Sequence, residues 1–203
     1  MSSSPSFSPA KAAISELAGV VANLGSVGEE IDRGGCWMVE TLKAGHKVLT
    51  CGNGGSAADA MHLVEELLGC YRSNRVPLPA VGLASDPTSL TCIANDFGYG
   101  EVFARQVTAL GQPGDLLVGI STSGNSVNVL NAFAAARQKG VRTIALTGRD
   151  GGRLKSESDL TIVVPSQNTA RIQECHTLAL HVWLEHVEAA FPAEPNHGRV
   201  GHE

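Results

Sequence analysis

Twice in this chain a short apolar run stops at a loop of glycine and hydroxyl side chains, and a helical pattern starts straight after it. The first run, residues 47–51, leads into CGNGGS at 51–56, with helical spacing from Ser56 to Leu68. The second, residues 115–120, leads into STSGNS at 121–126, with helical spacing from Ser126 to Lys139. Further strands are read at 79–84, 141–146 and 160–164, and further helices at 86–96, 100–110, 154–158 and 169–190. Strands separated by helices pair in parallel and are covered on both faces, and the Leu/Val/Ile-rich run at 115–120 has the composition of such a strand. The expected fold is α/β: a three-layer α/β/α sandwich around a mainly parallel five-stranded sheet. Ligands of such sheets bind at the carboxyl ends of the strands, where both loops lie.

Two helices are expected ahead of the first strand. Ser8 and Pro9 read as an N-cap and a first-turn proline, and Ile14, Leu17, Val20, Val21 and Leu24 follow at helical spacing. A second helix spans about 26–44 and stops at Gly45. Gly34 and Gly35 in its middle cost about 1 kcal/mol each relative to alanine, which points to a kink or to a close helix contact. These helices form an arm suited to oligomer contacts. Residues 1–9 and 193–203 read as flexible tails, and the whole chain as a single domain.

The 203 residues suffice for one sizeable core. A net charge of -5 gives no basic footprint for nucleic acid, so a phosphate has to be bound locally. No apolar run approaches the roughly 20 residues of a membrane span, and the Ser- and Pro-rich start lacks a signal-peptide core. Five scattered cysteines (Cys36, Cys51, Cys70, Cys92, Cys175) form no CxxC pair and read as free thiols of a cytoplasmic protein.

The two loops have the makings of a phosphate cradle. Gly54 and Gly55 let the backbone approach an anion, and Ser56 adds a hydroxyl at the helix start. Ser121, Thr122, Ser123 and Ser126 place four hydroxyls in six positions, where a helix cap needs one. The alternative is two ordinary turns with caps. Neither loop carries a P-loop lysine or a GxGxxG fingerprint, which argues against nucleotides. Past the first loop, His62 and Glu66 are four apart and share a helix face, while Glu65 points about 100° away. On the last helix, Gln173 and His181 are eight apart, within about 80° of each other but about 12 Å apart along the axis.

The runs CGNGGSAADAMH with EE (51–66), AND with FGY (94–99), GISTSGNS (119–126), LTGRDGG (146–152) and ARIQECH (170–176) resemble the phosphoheptose isomerases, a family with the sugar-isomerase (SIS) fold. The resemblance covers about 10–191. It implies interconversion of sedoheptulose 7-phosphate and D-glycero-D-manno-heptose 7-phosphate, the first step towards nucleotide-activated heptose. It also implies a homotetramer with active sites shared between subunits. At matching positions, Glu66 is the base and His181 the partner acid or base. Ser56, Ser121, Thr122, Ser123 and Ser126 hold the phosphate; Asn53, Asp96 and Gln173 contact substrate. Some members bind zinc through residues matching His62, Glu66, Gln173 and His181.

There are departures from the family pattern. Cys70 falls near a position where some members have arginine, leaving Arg72 or Arg75 to supply the contact, or no residue at all. Ala170 stands where some have aspartate. The rival reading is a non-catalytic relative, resembling the regulator that binds the replication initiator DnaA, but that group lacks the glutamate and the late histidine kept here as Glu66 and His181. An isomerase for another sugar phosphate is the other alternative.

Overall fold

The computed structural model describes residues 8–193; of the expected tails at 1–9 and 193–203, residues 1–7 and 194–203 lie outside the described residues, while Ser8 caps the first helix and Pro9 opens it. Five strands, β1 (Val48–Gly52), β2 (Ala80–Gly82), β3 (Leu116–Ser121), β4 (Arg142–Gly148) and β5 (Leu160–Val164), form one sheet in the order β2-β1-β3-β4-β5. Every pairing is parallel. The helices are α1 (Pro9–Leu24), α2 (Gly28–Lys43), α3 (Gly55–Leu68), α4 (Pro87–Phe97), α5 (Ala104–Leu110), α6 (Val127–Lys139), α7 (Leu154–Glu157) and α8 (Thr169–Ala190).

Alternation along the strands divides the core in two. Val48, Leu116, Val118, Ile120, Ile144 and Leu146 point to one face, where they pack with side chains of α1, α2, α3 and α8. Leu49, Cys51, Leu117 and Ala145 point to the other, under α5, α6 and α7, with Leu90 and Ile93 of α4 packed alongside. Side chains of period two on a sheet covered on both faces give the expected sandwich. Chain direction out of the sheet reverses between β1 and β3: β1 leads to β2 on one side, and β3 lies on the other. The crevice of such a sheet opens at that point. The loops that follow β1 and β3 are the two glycine/serine loops.

Two expectations take a different form. The helix read at 100–110 is a short 3-10 turn, Tyr99–Glu101, followed by α5; Gly98, at a positive φ of 86°, separates that turn from α4. Glycines 34 and 35 leave α2 unbroken and mark a close contact instead. A Cβ on Gly34 would lie 2.8 Å from Trp183 Nε1, and one on Gly35 would lie 2.5 Å from His186 Cδ2. Trp183 is fully buried and donates its Nε1–H to the Ile31 carbonyl at 2.8 Å. The glycines therefore let α8 press onto α2 at a spot where any side chain would hold the helices apart.

Candidate functional site

The first loop turns on Gly54, at φ 56° and ψ -122°, a conformation that L side chains rarely adopt. Ser56 N–H donates to the Asn53 carbonyl at 3.1 Å, and the Ser56 side chain is buried at the head of α3. A Cβ on Gly55 would sit 2.4 Å from Gln173 Nε2, so the Gln173 amide lies directly on this loop. In the second loop the hydroxyls of Ser121 and Ser126 are 2.9 Å apart and satisfy one another. Gly124 is packed so tightly that a Cβ would meet the Gly151 carbonyl oxygen at 1.9 Å. The loop after β4 acts as its buttress: Leu154 N–H donates to the Gly124 carbonyl at 2.9 Å, and Arg153 N–H to Asn125 Oδ1 at 3.1 Å. Neither α3 nor α6 has a side-chain bond from its cap residue; the N–H groups of Ser56, Ala57 and Ala58 bond the Asn53 and Gly54 carbonyls, and those of Val129 and Leu130 the Ser126 carbonyl.

Helices α3 and α8 run side by side in the same direction, and the site lies along their seam. Gln173 meets Gly55, the Thr177 hydroxyl donates to Asp59 Oδ1 at 3.1 Å, and the His181 ring stands edge-on to His62 with centroids 5.2 Å apart. His62 Nε2 is 3.5 Å from Glu66 Oε1. His62, Glu65 and Glu66 each bring one ligand-type atom within 4.8 Å of the others. Glu65 thus joins a cluster from which its helical phase alone would exclude it, because three rotatable bonds span the difference. Gln173 enters the same face at its loop end, two turns of α8 before His181.

Burial raises the Asp59 carboxyl above its ordinary value, while the Thr177 hydroxyl and the nearby His62 pull the other way; its Oδ2 is buried without a partner. Tyr71 stacks on the opposite side of His181, centroids 5.6 Å apart and planes 26° apart. Arg75 is buried, and its guanidinium donates to the carbonyls of Glu66, Leu67 and Val76. That closes the C-terminal end of α3 on the turn that carries Glu66, so Arg75 is not available to stand in for the arginine missing at position 70. Arg72 pairs with Glu185 at 2.7 Å and with the Tyr71 hydroxyl. Glu188 is pushed up by burial, but hydrogen bonds from Ser73 and the charge of Arg75 outweigh this and hold it below its usual range.

Asp96 lies at the exposed end of α4, where its partners are Asn95 and Cys92 of the same helix. The first loop is met instead by Tyr99, just past the end of α4, whose hydroxyl donates to Asn53 Oδ1 at 2.9 Å. Thr122 and Ser123 are half-buried in the second loop, and Ser123 Oγ accepts from Asn125 N–H. The sequence reading missed Tyr71, Tyr99, Asp59 and Asn128. Two of them had a sequence signal: Asp59 is three residues before His62, and Tyr99 ends the FGY run at 97–99. A polar cleft between α5 and α6, lined by Arg105, Thr108, Asn131 and Gln138, lies apart from these groups. Among the described residues all five cysteines are free, and burial pushes the Cys51 thiol up to about 12, so it is inert at neutral pH.

A parallel sheet with two hydroxyl-rich loops at its switch point and a carboxylate–imidazole cluster on the helix that follows one of them has the layout of a sugar-phosphate-handling protein. The family model for the SIS domain matches residues 15–148. The phosphoheptose isomerase of Aliarcobacter butzleri is 55% identical over 153 residues, 75% of this chain and 81% of the relative. Among solved structures, the phosphoheptose isomerase GmhA of Neisseria gonorrhoeae is similar with a TM-score of 0.84 at 41% identity, covering 89% of this chain and 97% of that one. The Francisella tularensis phosphoheptose isomerase gives 0.85 at 36% identity, covering 88% and 96%. The chain therefore belongs to the SIS-domain family and, within it, to the phosphoheptose isomerases, which makes it an enzyme.

Proposed function

We infer that this enzyme interconverts sedoheptulose 7-phosphate and D-glycero-D-manno-heptose 7-phosphate, at the start of nucleotide-activated heptose synthesis. One observation carries the assignment: α3 opens on the phosphate-type loop and carries Glu66 three turns further along, against His62, whose ring in turn meets His181. The sugar phosphate is held between Gly54, Gly55 and Ser56 on one side and Ser121, Thr122, Ser123 and Ser126 on the other, with Asn53, Asp96 and Gln173 on its hydroxyls. Glu66 takes the proton from the carbon beside the carbonyl. The electron pair of that C–H bond becomes the double bond of a cis-enediol, and the former carbonyl oxygen takes up a proton. Return of the carbon-bound proton to the neighbouring carbon completes the isomerisation. His181 moves the proton between the two oxygens, a task that suits an imidazole, whose ordinary pKa lies near neutrality.

Zinc fits this donor set. The ligand atoms of His62, Glu65 and Glu66 lie within 4.8 Å of one another and the His181 ring centroid is 5.2 Å from that of His62, which supplies the imidazole and carboxylate ligands zinc takes; Gln173 lies two turns away at Gly55 and would have to reach along the helix to join them. Bound there, the ion would supply Lewis-acid polarisation of the carbonyl. Assembly as a homotetramer, with sites at subunit interfaces, is supported by two uncovered helices. None of the eleven residues of α4 is buried, and α1 leaves Ile14 and Val21 exposed. No helix among the described residues is long and apolar enough to cross a membrane, and a phosphorylated sugar stays where it is made, which supports a cytoplasmic reaction.

The test is formation of the aldose 7-phosphate from sedoheptulose 7-phosphate by the purified protein. Glu66→Gln is expected to lower kcat by about 10³-fold while the sugar phosphate still binds. Turnover of that variant at the parent rate overturns the assignment.

A further inference from the structure

Resting on the reading of Asn53 as a substrate-binding residue, we propose that Asn128 and Tyr99 are positioning residues that lock the Asn53 amide so that it meets the sugar only as a hydrogen-bond donor. The orientation of each amide follows from a group whose role is fixed. Val129 N–H is a backbone donor, and it lies 3.0 Å from Asn128 Oδ1. That atom is therefore the oxygen, and the other end of the Asn128 amide is the donor. Asn128 Nδ2 gives its hydrogen to Asn53 Oδ1 at 2.8 Å, and Asn53 Nδ2 returns one to Asn128 Oδ1 at 2.9 Å. The Tyr99 hydroxyl supplies a second hydrogen to Asn53 Oδ1 at 2.9 Å.

An asparagine side chain has two lone pairs on its oxygen and two hydrogens on its nitrogen. Both lone pairs of Asn53 Oδ1 are used, and so is one N–H. What is left is a single N–H. A lone asparagine in a loop would flip to donate or accept as the ligand required; this one is fixed, and a sugar oxygen facing it has to present a lone pair. The lock joins three segments that share the site. Asn53 belongs to the first loop, Asn128 is a buried residue in the first turn of the helix that the second loop opens, and Tyr99 follows the helix that carries Asp96.

The experiment measures KM and kcat for sedoheptulose 7-phosphate in the full-length protein with Asn53→Ala, Asn128→Leu, Tyr99→Phe and the double variants that combine each of the last two with Asn53→Ala. Asn128→Leu keeps the volume and adds no charge, and Val129 N–H keeps the Ser126 carbonyl as a partner at 3.1 Å. A lost neutral hydrogen bond corresponds to roughly tenfold in KM, so Asn53→Ala and Asn128→Leu are each expected near that value, with kcat close to the parent. Tyr99→Phe is expected to raise KM by about threefold. In the Asn53→Ala background neither second substitution raises KM further, because the group they position is gone. A merely structural role would lower the melting temperature and leave this coupling at zero. The proposal is overturned if Asn128→Leu folds and leaves KM unchanged, or if its effect multiplies that of Asn53→Ala. Should Asn128→Leu fail to fold, the exposed Tyr99→Phe decides by the same two criteria. An unchanged KM in Asn53→Ala itself overturns the substrate role of Asn53, and the lock with it.

Discussion

Helices α1, α4 and α8 begin on a side-chain cap, and helices α3 and α6 do not. Ser8 Oγ accepts from Lys11 N–H, Asp86 Oδ1 from Thr88 N–H and Asn168 Oδ1 from Ala170 N–H. The last two bonds are 2.9 and 3.0 Å long. At α6 a serine occupies the cap position, yet its hydroxyl turns to Ser121 instead of the helix N–H groups. At α3 the cap position is a glycine with no side chain to offer. Helices α2, α5 and α7 also lack a side-chain cap, but α3 and α6 are the uncapped helices that follow the two glycine/serine loops, where an anion could supply the roughly 1 kcal/mol a cap is worth. Serine thus plays two parts: Ser8 turns inward to cap α1, whereas Ser126 turns away from α6 to Ser121, as the proposed anion site requires.

The strongest way to break this contrast is to attack what holds the uncapped loop in place. Gly124 has a φ of 65°, and a Cβ there would strike the Gly151 carbonyl. Gly124→Ala is expected to cost about 3 kcal/mol or more, from left-handed strain plus overpacking, and to weaken sugar-phosphate binding. Gly45→Ala is the control: φ is 79° but no atom lies within 4 Å of the new Cβ, so it is expected to cost about 1 kcal/mol and leave KM unchanged. Urea unfolding with KM measurements on both variants separates strain from loss of the loop. Equal effects on KM would show that the buttress does not matter.

The next effect sharpens the scaffold side. His176 of α8 is fully buried, and its Nε2 lies 3.0 Å from the Thr147 carbonyl at the end of β4. Burial lowers its pKa from 6.5 to about 4, although the Thr147 carbonyl opposes this. The unfolded chain therefore binds a proton in a range where the folded chain refuses it. The stability this histidine contributes is complete above about pH 6.5 and is lost as the pH falls towards 4, by about 3 kcal/mol over the full span. Unfolding free energy measured from pH 7 to 4 should show this slope, and His176→Gln should flatten it. An unchanged slope in the variant would place the acid sensitivity elsewhere.

How far the sequence carried depends on whether a feature is local. The central strand β3 was legible because burial on both faces leaves a nearly unbroken apolar run, β1, β4 and β5 because their mainly apolar runs sit between turn residues, and the two loops because glycine and hydroxyl residues cluster at their ends. The edge strand β2 is shorter than its apolar run, since only Ala80–Gly82 find partners on β1. The pair Gly34 and Gly35 allowed two outcomes, and only Trp183 and His186, roughly 150 positions away, decide between them. The hydroxyls and the His62–Glu66 pair could be picked out by spacing along one segment. Asn128, Tyr99 and Tyr71 could not, because their roles exist only once another element lies opposite them.

Two smaller substitutions bear directly on the capped and uncapped ends. Ser126→Ala removes a hydroxyl that contributes no helix cap, so it is expected to raise KM by roughly tenfold with stability within about 0.5 kcal/mol of the parent. Asn168→Ala should do the reverse. It removes the cap of α8 and the amide that holds Glu16 of α1, and is expected to cost about 1 kcal/mol, or 2–4 °C in melting temperature, with KM unchanged. Inorganic phosphate supplies the cross-check, since a ligand that binds only the folded state raises the melting temperature. It should protect the parent and Asn168→Ala by equal amounts and protect Ser126→Ala less. If phosphate protects all three alike, the open helix heads are not where the anion binds, and the missing caps need another cause.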